Sequence, residues 1–230
     1  MIGKSVGFAD GVKDLLGRIE YKAVSGNDLD AVLRLRYEAY AKEGAIEPCE
    51  DRRFLDDYDG LQNSANIGVY FEGELAGAIR IHVISSLEDK SPTGDVFRDC
   101  IEQYLAAGER IVDANRFVVD YALARRLRYL ANVLTRVTMM AGGWCGARYS
   151  IFAVRPEHQA FYSKTFFAER VAMARSYPGL TKDFGLMVGD FQRDLDKIVA
   201  RNPFYESSAA EQDRLFGKIN LGGRMSVAAE

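Results

Sequence analysis

Cysteine and histidine are scarce in this chain of 230 residues: three cysteines (Cys49, Cys100, Cys145) and two histidines (His82, His158). The cysteines are odd in number and widely spaced, which argues against a disulfide framework and for a reducing compartment, the cytoplasm. Without paired cysteines, and with so few histidines, no metal site is expected. Charge of one sign is lacking too. A formal net charge of −3 gives no overall reason to expect nucleic acid. No apolar run approaches the roughly 20 residues that cross a bilayer, and no signal peptide is visible. There is no low-complexity tract and no internal repeat.

What remains is an ordinary globular composition, long enough for one large domain or a domain with a helical appendage. The pattern predicts a principal domain over 1–190 and a C-terminal helical extension, 191–230, packed on it. An amphipathic helix is expected over Met1–Leu16, with Phe8, Val12, Leu15 and Ile19 near one face. A strand follows over Ile19–Val24, then a helix over Leu29–Glu43. The acid-rich stretch Ala45–Asn66 reads as a long loop, and loops of that length in compact domains are usually functional or disordered. Ile67–Phe71 and Leu75–Val83 read as a hairpin around Glu72, Gly73 and Glu74. A polar loop over Ser85–Gly94 and a helix over Asp95–Ala107 come next. After residue 172 the pattern gives strands over Met173–Tyr177 and Phe184–Val188. Helices follow over Asp190–Val199 and Ala209–Phe216, then a loose Gly-rich tail.

The chain is organised around Glu109–Val171. A β-rich run, Ile111–Val119, leads into a long helical run, Ala122–Ala141. A turn at Gly142, Gly143 and Gly146 precedes a second apolar strand, Tyr149–Val154, and a short helix carrying Phe161 and Tyr162. Strand, helix, strand, helix in this order implies two parallel strands joined by a crossover helix. With the hairpin, it gives an α/β (α+β) fold: a mixed, twisted sheet with helices on both faces.

Phe161, Tyr162, Ser163 and Lys164 resemble the Phe-Tyr helix end of the GNAT acyltransferases, although Phe166 stands where their glycine is usual. Asp113, Asn115, Arg116 and Phe117 resemble the Glu-x-Ser-Arg-Phe strand of the acyl-homoserine lactone synthases. The match widens to Arg36 and Tyr40 on the first long helix. It also takes in Asp56, Asp57, Tyr58 and Asp59 in the loop, and Gly77 and Arg80 on a strand. The synthases' loop tryptophan is missing, for the only tryptophan is Trp144, and their Glu and Ser are Asp113 and Asn115 here. The charged framework without those features is more similar to the N-acyl amino acid synthases.

The resemblance implies a GNAT-like fold whose two central parallel strands splay apart. The pantetheine arm of an acyl donor lies in the gap and pairs with exposed backbone like an added strand. Acetyl-CoA-dependent members follow the first of these strands with a glycine loop that cradles pyrophosphate at a helix N-terminus. The matching segment here holds no glycine but carries Arg125, Arg126 and Arg128. A carrier-protein pantetheine has one phosphodiester and no nucleotide, so the expected donor is an acyl carrier protein thioester, with acyl-CoA the alternative. No tightly bound cofactor is implied. The three arginines suit an acidic carrier protein or form an ordinary solvated helix face. Phe117 and Val119 are the expected donor-binding strand positions.

The implied chemistry is aminolysis of a thioester by a small amine such as an amino acid. Asp113 is the candidate base or ammonium anchor, acting directly or through water. A backbone N–H on the splayed strand near Val118 is the candidate oxyanion donor and Tyr162 the candidate acid for the departing thiolate. Arg80 and Arg116 lie inside strands, where a charge is costly unless paired. They pair with Asp56 and Asp59 or bind the acceptor carboxylate, while Arg36 and Asp56 read chiefly as loop-ordering charges. Alternatives are an acetyl-CoA-dependent N-acetyltransferase, an acyl-homoserine lactone synthase, and a non-catalytic module that binds acylated carrier protein.

Overall fold

A computed structural model describes residues 7–219 and 221. Among these, seven strands form one sheet in the order β1-β2-β3-β4-β5-β7-β6. They are β1 (Ile19–Val24), β2 (Ser64–Phe71), β3 (Glu74–Ile84), β4 (Ile111–Val119), β5 (Tyr149–Val154), β6 (Glu169–Ser176) and β7 (Asp183–Asp190). All neighbours are antiparallel except β4 and β5. The β2–β3 turn has Glu72 and Gly73 at φ 51° and 89°, the twist a two-residue hairpin requires.

Helices cover both faces. On one side lie α1 (Phe8–Leu16), α6 (Leu130–Cys145) and α9 (Ala209–Phe216), packed over Ile67, Val69, Ile79 and Ile81. On the other, α2 (Asn27–Lys42) packs Val32 and Leu35 against Ala78 and Val118. On that side too, α4 (Arg98–Ala106) packs Ile101 and Leu105 against Ile84, Ile111 and Ile151. The remaining helices are α3 (Pro92–Val96), α5 (Tyr121–Arg126), α7 (Gln159–Phe166) and α8 (Phe191–Arg201). No helix among the described residues is long and apolar enough to cross a membrane. The expected helix over Met1–Leu16 is present from Phe8, and its first six residues, like most of the C-terminal tail, lie outside the described residues.

The crossover differs from its expected form in two ways. The helical run breaks at Leu127–Tyr129, so α5 and α6 are separate. Gly142 and Gly143 do not turn the chain but lie inside α6, and only Gly146, in the left-handed region at φ 62°, ends it. Close packing accounts for both glycines. A Cβ on Gly142 would meet the Phe191 ring within 2.4 Å, and one on Gly143 would meet Gln212 within 2.6 Å. The polar loop before Gly94 is also shorter than expected: Ser91 caps α3, its hydroxyl accepting the Gly94 N–H at 3.0 Å with Pro92 in the first turn.

Gly77 on β3 lets α6 approach the sheet beside β4. A Cβ there would come within 2.8 Å of both Leu134 Cδ2 and the Val118 carbonyl oxygen. Gly77→Ala is therefore expected to destabilise the fold by about 1–3 kcal/mol, read as a lower denaturation midpoint. An unchanged midpoint would show that α6 can back away from β3 at little cost.

Candidate active site

The parallel pair comes apart after three rungs. β4 and β5 pair at Ile111–Tyr149, Val112–Ser150 and Asp113–Ile151, and no further. Each stays anchored on its far side, β4 to β3 as far as Val119–Gly77 and β5 to β7 as far as Val154–Gly185. The result is a wedge-shaped gap, open at the C-terminal ends of the strands, with Asp113 at the fork. Unpaired strand edges carry main-chain donors and acceptors in a row that an extended ligand arm can complete.

A bulge in β4 shapes one wall. The register against β3 shifts between Ala78 and Arg80, and Arg116 takes φ 52°, a conformation that a non-glycine residue adopts at a cost of roughly 1 kcal/mol. The extra residue aims Asn115 and Arg116 at the α2 face together. It also puts Phe117 and Val119 on the α6 face, half-buried against the core.

Strand geometry narrows the choice of oxyanion donor. The Asp120 N–H donates to the Ala76 carbonyl at 2.8 Å, and the Val118 carbonyl lies against Gly77. Antiparallel pairing alternates, so the main-chain groups of Val118 face β3 and its N–H is spent on the ladder. Those of Phe117 and Val119 face the gap.

On the α2 face of β3 and β4 the arginines are paired, not free. Arg80, fully buried, forks onto Asp56 with Nη1–Oδ1 2.6 Å and Nη2–Oδ2 3.0 Å, and its Nη1 also reaches Asp59 Oδ1 at 2.8 Å. Arg116 Nε donates to Asp56 Oδ2 at 2.9 Å and its Nη2 to the Pro178 carbonyl at 3.1 Å. The partners of Arg36 are Asp59 (2.7 Å) and Asn66. Tyr40 reaches the cluster through Phe54. The two rings meet edge to face at 5.1 Å, and the Arg116 guanidinium lies 4.7 Å from the Phe54 ring. Burial raises the Asp56 carboxyl, but Arg80 and Arg116 outweigh it and hold the group well below the usual carboxylate range. Burial, with Arg80 beside it, pushes His82 down to about 3, so this ring is neutral. It links the Tyr58 carbonyl (3.2 Å) to Asn115 (3.1 Å). Three guanidiniums against two carboxylates leave one positive charge in excess, and Arg36 Nε has no hydrogen-bond partner.

Asp113 lies apart from that cluster. Its side chain is fully buried, so direct contact with an amine in solvent, one of the expected roles, is closed. Thr93 Oγ1 donates to Oδ1 at 2.7 Å and the Thr93 N–H to Oδ2 at 3.1 Å. The Tyr177 hydroxyl stands 2.8 Å from Thr93 Oγ1. Burial raises the Asp113 carboxyl, against the hydrogen bonds from Ser91, Thr93 and Asn115 that lower it.

Tyr162, on α7, packs against Phe152, the first β5 residue beyond the fork, at 4.7 Å between ring centroids. Burial pushes its phenol well above the ordinary tyrosine range. Where a glycine loop would follow β4, Asp120 caps α5 instead, its carboxylate accepting the Leu123 N–H at 2.8 Å. An anion already occupies that helix start. Arg125, Arg126 and Arg128 are exposed in the segment that follows β4, with Arg125 beside Tyr121 and Arg128 beside Tyr129. A cleft of about 760 Å³ borders the arginine cluster, between Phe54, Val96 and the Ser176–Thr181 turn. A larger one, about 1180 Å³, lies between β1 and α9 and reaches Asp59 and Asn66 of the same cluster.

The family of the N-acyl amino acid synthase FeeM is matched over residues 31–190, a span that contains the whole gap and the whole arginine cluster. The chain belongs to the FeeM family. The solved structure of FeeM, an N-acyl amino acid synthase from uncultured soil microbes, superposes with a TM-score of 0.64 at 16% identity. The match covers 76% of this chain and 92% of that one. A CoA-dependent acyl-homoserine lactone synthase, BjaI, superposes at 0.58 and 16%, covering 80% and 90%. An acyl-CoA N-acyltransferase from Pseudomonas aeruginosa superposes at 0.50 and 16%, covering 74% and 97%. No curated protein matches the chain. Together these make it an acyltransferase of GNAT-like fold.

In this member of the FeeM family several site groups escape sequence reasoning. Thr93 and Tyr177 complete the surroundings of Asp113, and Asn66 and His82 complete those of the arginines. His82 is the one with a visible signal: a histidine two residues after Arg80 on the same strand shares its face.

Proposed function

We propose that this protein is an N-acyltransferase that moves a fatty acyl group from an acyl carrier protein thioester to the amine of an amino acid or similar small acceptor. The observation that carries the reading is the gap beyond Asp113–Ile151, walled by backbone edges that an extended arm can pair with. The arm enters at the open end, so its phosphodiester stays outside beside Arg125, Arg126 and Arg128. Of the arm itself the thioester end goes deepest, and the fatty acyl chain continues past it. The Phe117 N–H, the deeper of the two facing the gap, receives the thioester carbonyl, and Val119 pairs with an amide of the arm. Asp120 in place of a glycine loop favours a carrier protein, which brings no pyrophosphate to be cradled. The acceptor enters from the Phe54–Tyr177 cleft, where the excess positive charge of the arginine cluster favours a carboxylate. Tyr162 protonates the departing thiolate. A carrier-protein donor supports a cytoplasmic location.

Incubation with acyl carrier protein thioesters of several chain lengths and pooled amino acids is expected to yield N-acyl amino acids by mass spectrometry. Acyl-CoA is expected to be the poorer donor in kcat/KM. No amide from any chain length would refute acyl transfer, and a preference for CoA would refute the carrier-protein donor.

A further inference from the structure

We propose that Tyr177 and Thr93 form a proton relay joining the acceptor amine, bound in the Phe54–Tyr177 cleft, to the Asp113 carboxylate at the fork. The inference rests on the acyl-transfer reading and supplies what that reading leaves open, a route from the amine to a base it cannot touch. Three observations converge. Tyr177 lines the cleft with the 5% of its surface that stays exposed. Its hydroxyl reaches Thr93 Oγ1 (2.8 Å), which donates to Asp113 Oδ1 (2.7 Å). Asp113 occupies the last rung before the gap.

The polarity of the chain follows from its own hydrogen bonds. Thr93 gives its one hydroxyl proton to Asp113, so its oxygen accepts from Tyr177, and both hydroxyls donate inward. A proton arriving at Tyr177 Oη can then move by successive hops, each oxygen gaining one proton as it yields another. As the amine nitrogen bonds to the thioester carbon, the ammonium proton passes to Tyr177, the Tyr177 proton to Thr93 and the Thr93 proton to Asp113 Oδ1. When the C–S bond breaks, Tyr162 gives its proton to the sulfur and takes up the second nitrogen proton in its place, and Asp113 later releases its proton outward through the same hydroxyls. Burial strengthens Asp113 as a base, offset in part by Ser91, Thr93 and Asn115, and Arg80 and Arg116 are the cations that face Tyr177. A carboxylate that merely tied down the start of α3 would need the two Thr93 bonds alone. The Tyr177 hydroxyl set on Thr93 has no part in that task.

The test compares kcat and KM for the full chain and for Tyr177→Phe, Thr93→Val, Asp113→Asn and the Tyr177→Phe/Asp113→Asn double variant. Tyr177→Phe and Asp113→Asn are each expected to lower kcat about 100-fold with donor KM unchanged, and the double variant no further, because both cut one path. A Tyr177→Phe variant within twofold of wild type, or losses that multiply in the double variant, would overturn the relay while leaving acyl transfer in place. A wild-type chain that forms no amide overturns both. If Tyr177→Phe fails to fold by circular dichroism, Thr93→Val decides alone. It preserves shape, and the same 100-fold loss supports the relay while an unchanged kcat refutes it.

Discussion

Asp56→Ala is expected to cost about 3–5 kcal/mol of stability and to loosen the 43–63 loop from the sheet. Removing one partner from a buried ion pair leaves the other charge without compensation, and that penalty exceeds anything an exposed pair contributes. Two cations depend on Asp56: the side chains of Arg80 and Arg116 are 0% and 1% exposed. Asp59 cannot replace it, being already shared between Arg36 and Arg80. Denaturant unfolding reads the loss, and hydrogen exchange of the Phe54 and Asp59 amides, which bond to Leu33 and Asp56 carbonyls, reads the loosening. The same carboxylate predicts a sign for pH. Its folded pKa is depressed, so the unfolded chain takes up the proton first. Its stabilisation is complete above the ordinary carboxylate value of about 4 and fades as pH falls below it. Wild-type stability should therefore drop between about pH 5 and 3 more steeply than that of Asp56→Ala. Equal slopes, or a loss under about 1 kcal/mol, would mean that the arginines find water or other partners.

Much of this architecture is legible in the sequence because single elements carry strong local signals. The β4 and β5 bounds follow from dense β-branched and aromatic runs, and charges inside those runs demand partners, which the loop acids supply. What is not legible depends on contacts between distant segments. Glycines at 142 and 143 read as breakers, yet Phe191 and Gln212 need the room they leave inside α6. Which of Asp56 and Asp59 each arginine takes depends on where the loop folds back. Thr93 and Tyr177 meet across 84 positions, and neither is unusual in its own segment. The bulge at Arg116 is the most consequential case. It inserts one residue into the alternation, so counting along the strand cannot tell which N–H faces the gap until the pairing with β3 is known.

That parity yields the sharpest test of the donor site. Replacing the Phe117 residue by its α-hydroxy acid counterpart exchanges one N–H for an ester oxygen and leaves the side chain untouched. If the Phe117 N–H holds the developing oxyanion, kcat should fall by about 10²–10³-fold, the usual cost of deleting one such donor. The equivalent exchange at Val119, which pairs with the arm and not with the reacting carbonyl, should raise donor KM and change kcat little. At Val118 the N–H faces Ala78, so the exchange should cost about 1 kcal/mol of stability, one ladder hydrogen bond, and leave both constants near wild type. The three outcomes separate the wall of the gap from the ladder behind it. A large kcat effect at Val118 with none at Phe117 would reverse the parity. The bulge would then direct the opposite set of amides at the thioester, and the arm would run along β4 one residue out of step.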